Sequence, residues 1–184
     1  MARTGDRPCA VPASALIALY STFITKPINI LLEGTTRIIS DICGEALEVA
    51  RRNVEAHSLL DRIEIIKSDC FNDLNGRKFD LIVCNPPYVD SQEFAAMPSE
   101  YRHEPARAML SGEDGLEFTR QLLREAIDYL NPHGILVVEV GHSALALQQE
   151  FTAVPFIWPS VGEGDSGVFI LSHDQLDENR NFFS

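Results

Sequence analysis

The chain has 184 residues, which is enough for one well-buried domain and too few for two comfortable ones. A hydrophobic content of 45% with 23% charged residues is an ordinary globular balance and excludes a largely disordered chain. The formal net charge of −12 disfavours nucleic acid as a partner, since phosphate binding depends on cationic side chains, and favours a basic protein.

The N-terminal 34 residues have no clean hydrophobic period, and their prolines leave helix and strand both open. The apolar stretch from Ala10 to Ile24 is interrupted and falls short of the roughly 20 residues that a membrane span needs, so we expect no membrane association. The four cysteines stand far apart, which predicts free thiols in a reducing cytoplasm. Neither cysteines nor histidines have metal-ligand spacing, so no metal site is predicted.

Three short strands are predicted in the middle of the chain. Residues 37–41 form the first, which ends in Asp41 and precedes a pattern of apolar residues at helical spacing. Residues 62–67 form the second, which runs into Asp69. Residues 79–84 form the third, apolar enough to be buried on both faces of a sheet.

The second half of the chain continues the alternation. The connection from Val89 to Glu113 is long and polar, which is typical of a functional loop. A helix, a strand and a helix are then predicted at Gly115 to Leu130, Ile135 to Val140, and Ser143 to Phe151. Apolar runs at 156–161 and 167–172 flank a glycine-rich turn and predict a C-terminal antiparallel hairpin. The whole pattern predicts an α/β fold with a mainly parallel sheet, whose ligands lie beyond the carboxyl ends of its strands.

The tetrapeptide Asn85-Pro86-Pro87-Tyr88 follows the third strand directly. Two prolines stiffen the backbone, so the Asn85 side-chain oxygen and the Pro86 carbonyl can accept the two hydrogens of a planar NH₂ group while the Tyr88 ring covers its plane. An amide nitrogen is a poor nucleophile, and such a clamp would orient it toward an electrophilic methyl group. A plain tight turn is the alternative for these residue types.

Two acids also stand at predicted strand ends. Asp41 is placed to accept hydrogen bonds from a ribose diol, as acids do in nucleotide-binding sheets, or to cap the next helix. Asp69 allows the same two interpretations. Cys70 beside it can pack near an adenine.

With these motifs, the sequence resembles the bacterial N(5)-glutamine protein methyltransferases over about residues 36–176. Residues 85–90, 100–105 and 111–115 look most like the branch that acts on large-subunit ribosomal protein three. The resemblance implies a Rossmann-like class I methyltransferase fold that uses S-adenosylmethionine. It also implies that Asn85 to Tyr88 bind the substrate glutamine, with Asn85 beside the cofactor as well, that Asp41 meets the ribose and that the Asp69-Cys70 turn lies by the adenine. The expected substrate, a basic ribosomal protein, agrees with the acidic charge.

The sequence departs from this family before about residue 36. Upstream of Asp41 the glycines are Gly5 and Gly34, so the glycine-rich turn after the first strand is missing, and the family's helical N-terminal domain is not recognisable. We therefore expect an N-terminally truncated or altered chain with an incomplete first strand. The expected organisation is a poorly determined segment at 1–34, a catalytic domain at 35–176 and a tail at 177–184.

Three alternatives to a ribosomal-protein glutamine methyltransferase stay open at this point. A release-factor glutamine methyltransferase shares the tetrapeptide. An N(6)-adenine DNA methyltransferase uses a similar one on a flipped base, although the acidic charge disfavours it. A non-catalytic fragment that no longer binds the cofactor is favoured by the missing glycines.

Overall fold

The computed structural model describes residues 14–19, 36–97, 108–160 and 167–184, with side chains from residue 37 onward within these ranges. Its strands are β1 (Ser14–Leu19), β2 (Thr36–Asp41), β3 (Ile63–Lys67), β4 (Phe79–Asn85), β5 (Leu130–Glu139) and β6 (Val168–Ser172). Its α-helices are α1 (Gly44–Ala56), α2 (Ser91–Ala96), α3 (Glu117–Glu125), α4 (Ala144–Glu150) and α5 (His173–Glu178). Helices and strands are thus mixed along the described chain, as the sequence predicts, although β4 follows β3, and α3 follows α2, without a described element of the other kind between them.

The six strands of the described residues form a single sheet in the order β3-β2-β1-β4-β5-β6. All neighbours are parallel except β6, which runs antiparallel to β5. Along the sheet the strand numbers fall from β3 to β1 and then rise from β4 to β6, so the topological switch point lies between β1 and β4. Ligand sites in such sheets lie beyond the carboxyl ends of the strands at this point. We call the side of the sheet at which the parallel strands end the carboxyl edge.

The first strand is present, which corrects the expectation that it is incomplete. β1 lies between β2 and β4, so the predicted boundary at residue 35 does not separate it from the sheet. Six apolar or small residues read equally well as helix or strand, because periodicity alone does not distinguish short buried segments. The predicted absence of a glycine-rich turn falls on residues 20–35, which lie outside the described residues.

The core lies between the sheet and its helices. α1 buries Leu47, Ala50 and Val54, the residues that stand at helical spacing in the sequence. The largest fully buried side chains are Phe71, Phe169, Leu74, Ile82, Leu116, Leu122, Leu123, Leu130, Leu136, Leu147 and Leu171. Each such side chain stabilises the fold by about 1.5–3 kcal/mol relative to exposure.

The C-terminal residues belong to this core, which corrects the predicted tail at 177–184. α5 runs through the predicted boundary, and Phe183 is buried with its ring 5.5 Å from that of Phe151. The capping box of Ser172 and Gln175 fixes the start of α5. The chain end therefore packs as part of the domain.

Two other predictions need correction in detail. The helix predicted to reach Leu130 ends earlier: α3 gives way to a 3-10 helix at Ala126–Tyr129, and residues 131–134 lie within β5. Opposite them lies a register shift: Phe79 pairs with Leu130 and Leu81 pairs with Ile135, so residues 131–134 bulge out of the pairing with β4. Among the described residues of the predicted hairpin, those of β6 form a strand and residues 156–160 do not. The two runs are joined by a pair of backbone hydrogen bonds between Ile157 and Ile170, of 3.1 and 2.8 Å, and residues 161–166 lie outside the described part.

The helices of the described ranges are all too short or too polar to cross a membrane.

Candidate functional site

Three of the polar residues singled out in the sequence lie at the carboxyl edge. Asp41 is the last residue of β2, Asn85 is the last residue of β4, and Asp69 follows the end of β3 by two residues. These strands are parallel, so their ends meet on one side of the sheet. The topology thus brings together groups that are far apart in the sequence.

Asp41 is a buried carboxyl group with a defined orientation. Its side chain is only 4% exposed, and its Oδ1 accepts the backbone N–H of Cys43 at 2.7 Å. Burial raises the pKa of Asp41 to about 6, while the backbone N–H groups of Cys43 and Ile42 oppose that rise. The N-cap of α1 is Cys43, so Asp41 does not hold the capping position that was the alternative interpretation.

The turn after β3 points its two predicted site residues in different directions. Ser68 fixes the turn: its hydroxyl donates to the Cys70 carbonyl at 3.0 Å and accepts the Asp73 N–H at 3.1 Å. Asp69 is exposed, whereas Cys70, with a φ of 49°, is buried in the hydrophobic core. Burial, together with the nearby Glu125, raises the pKa of the Cys70 thiol. Of these two residues, Asp69 is therefore the one that can reach a ligand at this edge.

Residues 85–88, here called the acceptor loop, leave the sheet directly from β4. Pro86 and Pro87 are buried, while Asn85 and Tyr88 are half-buried. The Tyr88 ring packs edge-on against the His142 ring at 5.6 Å, and His142 Nε2 lies 2.9 Å from the Glu93 carboxylate. Burial raises the pKa of the Tyr88 phenol, and Glu139 and Glu93 add to that rise. The phenol thus stays neutral at physiological pH and keeps its proton as a donor.

The two ends of the connection that follows the acceptor loop are joined by backbone hydrogen bonds. The Val89 N–H donates to the Met109 carbonyl at 2.8 Å, and the Ser111 N–H donates to the Val89 carbonyl at 2.9 Å. Asp90 caps α2 by accepting the N–H groups of Gln92 and Glu93, each at 2.8 Å. The polar cluster at 100–105, part of the long connection predicted to be functional, lies outside the described residues.

A cavity of about 230 Å³ opens beside the acceptor loop. It is lined by Ile42, Asp69, Pro87, Leu110, Ser111, Glu117, Phe118 and Gln121. Two of these residues, Asp69 and Pro87, are predicted site residues, and Ile42 follows Asp41 in the chain. The other predicted site residues are not among the lining residues: Asp41, Cys70, Asn85, Pro86 and Tyr88. The five residues from Leu110 onward were missed as individual site residues. Their signal in the sequence is weak: a polar run at 111–115 followed by one face of α3.

The described residues contain no cluster of three or more His, Cys, Asp or Glu side chains that could hold a metal ion.

Comparison with known proteins shows which proteins this chain is related to. A family profile described as "Methyltransferase small domain" matches residues 31–112. The chain is 43% identical over 153 residues to the ribosomal protein uL3 glutamine methyltransferase of Francisella tularensis, which is 83% of this chain and 49% of that protein. The chain is a homologue of the glutamine methyltransferases. The resemblance predicted from the sequence is therefore confirmed.

A second relative agrees with the first. The ribosomal protein uL3 glutamine methyltransferase of Neisseria gonorrhoeae is 47% identical over 136 residues, which is 74% of this chain and 45% of that protein. This glutamine methyltransferase homologue thus spans about half the length of the curated relatives it matches.

Solved structures confirm the fold class. A methyltransferase from Pyrococcus furiosus superposes with a TM-score of 0.59 and 20% identity, over 88% of this chain and 75% of the other. At that identity the likeness concerns the fold alone. The Rossmann-like class I methyltransferase sheet, mainly parallel with an antiparallel last strand, is the fold of this glutamine methyltransferase homologue.

Proposed function

We propose that this chain is the catalytic part of an S-adenosylmethionine-dependent methyltransferase that methylates a glutamine side-chain nitrogen in a ribosomal protein. The observation that carries the proposal is the acceptor loop at the end of β4, on the same edge of the sheet as the buried Asp41. Relatives at 43–47% identity, named for methylation of glutamine in ribosomal protein uL3, support the substrate class.

The acceptor loop binds and orients the substrate amide. The Asn85 side-chain oxygen and the Pro86 carbonyl accept its two N–H groups, and the half-buried Tyr88 ring covers its plane. Two buried prolines keep these acceptors at a fixed spacing. Drawing both hydrogens into hydrogen bonds raises electron density on the nitrogen and directs its lone pair at one point, which compensates for its weak nucleophilicity.

The residues of the carboxyl edge fit S-adenosylmethionine. Asp41 accepts hydrogen bonds from the ribose, and the cavity, with apolar walls at Ile42, Pro87 and Phe118 and polar groups at Asp69, receives the adenine. When bound, the cofactor supplies a sulfonium methyl group. We assign Asn85, the last residue of β4, a contact with both the amide and the methyl donor. Cys70 contributes by packing in the core beneath the Asp69 turn rather than by contact.

The partner we propose is a basic protein in the cytoplasm. The net charge of −12 attracts a cationic substrate and repels a phosphate backbone, which argues against DNA. Ribosomal proteins have that cationic character, because they bind a phosphate backbone themselves.

One observation favours a second candidate, a homologue that keeps the acceptor loop without binding the cofactor. The sequence has no glycine between Leu19 and Gly34, where a close approach of the backbone to the methionine end of the cofactor would need one. Cofactor affinity separates the two candidates directly.

The test is a calorimetric titration of the chain with S-adenosylhomocysteine, followed by a methyl-transfer assay. We expect measurable binding that Asp41→Ala removes, and transfer to unmethylated ribosomal protein rather than to release factor or DNA. Binding without transfer to the ribosomal protein would contradict the proposed substrate. Undetectable binding would favour the second candidate.

A further inference from the structure

The Tyr88 residue of the acceptor loop rests on glycines from two distant segments. A Cβ atom on Gly141 would lie 2.7 Å from the Tyr88 ring atom Cε2, and one on Gly115 would overlap the Tyr88 carbonyl oxygen. Both glycines have positive φ angles, of 50° and 75°, which L side chains rarely adopt. The ring of Tyr88 therefore packs against Gly141 and its backbone against Gly115, so closely that neither glycine could carry a side chain.

A third glycine supports the first. A Cβ atom on Gly167 would lie 2.6–2.9 Å from backbone atoms of Gly141, and the Val140 N–H donates to the Gly167 carbonyl at 2.7 Å. Gly141, which follows β5, thus packs directly against Gly167, which precedes β6. The support beneath Tyr88 is anchored on two strands of the sheet.

Ser143 provides the polar contact at this place. Its side chain is 7% exposed, and its hydroxyl donates to the Tyr88 carbonyl at 2.8 Å. Its own backbone N–H donates to the Val140 carbonyl at 3.0 Å, so the hydroxyl is fixed to the end of β5. Deleting the hydroxyl would deprive a confined carbonyl of its donor, which costs more than an exposed hydrogen bond.

We infer that Ser143 is a positioning residue for the acceptor loop, whose hydroxyl holds the Tyr88 carbonyl and thereby the ring that covers the substrate amide. The inference rests on the proposed function, since that function gives the ring its role. Asn85 fixes one end of the acceptor loop to β4, the two prolines stiffen its middle, and Ser143 fixes its other end to β5. With both ends attached to the sheet, the acceptors keep their spacing before the substrate arrives.

The first test compares Ser143→Ala with Ser172→Ala. Ser172 is a matched control, because its hydroxyl also makes a hydrogen bond to the backbone, to the Gln175 N–H at 3.2 Å, but at the start of α5. We expect Ser143→Ala to lower kcat roughly tenfold, the effect of one lost hydrogen bond that orients the acceptor, with unchanged affinity for S-adenosylhomocysteine. Ser172→Ala should lower stability and leave kcat unchanged. Equal kcat values for the two variants would overturn the inference.

The second test does not need activity and therefore separates this inference from the proposed function. The titration of the Tyr88 phenol is followed by NMR on ¹³C-labelled tyrosine, with Tyr88→Phe used for assignment. Burial raises the pKa of Tyr88, so loosening of the ring in Ser143→Ala should move that pKa down toward its ordinary value, whereas Ser172→Ala should leave it in place. A Tyr88 titration identical in wild type and Ser143→Ala would refute the positioning role even in a chain that transfers no methyl group.

Discussion

Asp41 and Asn85 lie at the same height along the sheet, at the ends of the two strands that flank β1. Ala18 of β1 pairs with Ser40 on one side and with Cys84 on the other, and the two polar residues are the next along each strand. Since neighbouring strands lie about 4.8 Å apart, the two backbones are separated by roughly 10 Å. Under the proposed function, that span would place the cofactor ribose at Asp41 and the reacting methyl group near Asn85.

The affinity for S-adenosylhomocysteine should depend on pH through Asp41. Its pKa is raised to about 6, so the carboxyl takes up its proton at a higher pH than usual. Only the ionised carboxylate accepts hydrogen bonds from both ribose hydroxyls, so affinity is highest well above pH 6, where Asp41 is ionised. It falls as the pH drops through 6, by up to about tenfold per pH unit below it. Calorimetry from pH 5 to pH 8 measures this. Asp41→Asn should bind weakly with a flat profile, and a flat profile in the wild type would contradict the assignment.

Replacing Asn85 should separate chemistry from cofactor binding. Asn85→Ala removes one acceptor of the substrate amide, and we expect transfer to fall by at least about a hundredfold, as when one oriented polar group is lost from an active site. Affinity for S-adenosylhomocysteine should change little. Asn75→Ala, in an exposed turn, is the matched control and should behave as wild type. Transfer that survives Asn85→Ala would remove the amide clamp from the mechanism.

Adding one methyl group at Gly141 should destabilise the protein. In Gly141→Ala the new Cβ meets the Tyr88 ring at a positive φ angle, and we expect a loss of about 1–3 kcal/mol in the free energy of unfolding. The same substitution at Gly44 meets nothing within 4 Å and lies at the start of α1. Gly44→Ala should therefore be neutral or stabilise by less than about 1 kcal/mol. Urea unfolding of both variants checks the contrast, which would fail if the two losses were equal.

Arg120 should contribute modestly to stability by joining α3 to α4. Its guanidinium forms ion pairs with Asp114, just before α3, and with Glu150 at the end of α4. The groups are partly exposed, so we expect Arg120→Ala to lose about 1 kcal/mol, and less in 1 M salt. Arg51→Ala, which removes an exposed pair with a 3.9 Å separation, should lose almost nothing. Thermal unfolding at two salt concentrations compares the variants, and a salt-independent loss at Arg120 would point to packing instead.

The sequence predicts most of the sheet because its strands carry local signals. β2 and β4 are apolar runs that end in polar residues, and α1 shows a helical period that matches its buried face. β1 carries no such signal, since its six residues suit a helix equally well and only its two neighbours decide the matter. The end of α3 also differs from the prediction, because a 3-10 helix follows it and a register shift between β4 and β5 accommodates the turn-forming residues 131–134.

The candidate site also has features that the sequence predicts and features that it does not. That Asp41 and Asn85 meet at one edge follows from parallel strands, a rule that local sequence suffices to apply. The opposite orientations of Asp69 and Cys70 depend on the positive φ angle of Cys70 and on the hydrogen bond from Ser68 to its carbonyl, which these residue types do not predict. The contact between Tyr88 and Ser143 spans 55 positions, so nothing in the sequence near either residue indicates it.

The backbone hydrogen bonds of Val89 with Met109 and Ser111 join the two ends of the stretch between them. This pairing is an isolated bridge that lies shortly after the end of β4. Insertions or exchanges between these two ends would therefore transmit little strain to Tyr88. If the proposed function holds, a change of this stretch could alter which protein is bound while the acceptor loop keeps its geometry.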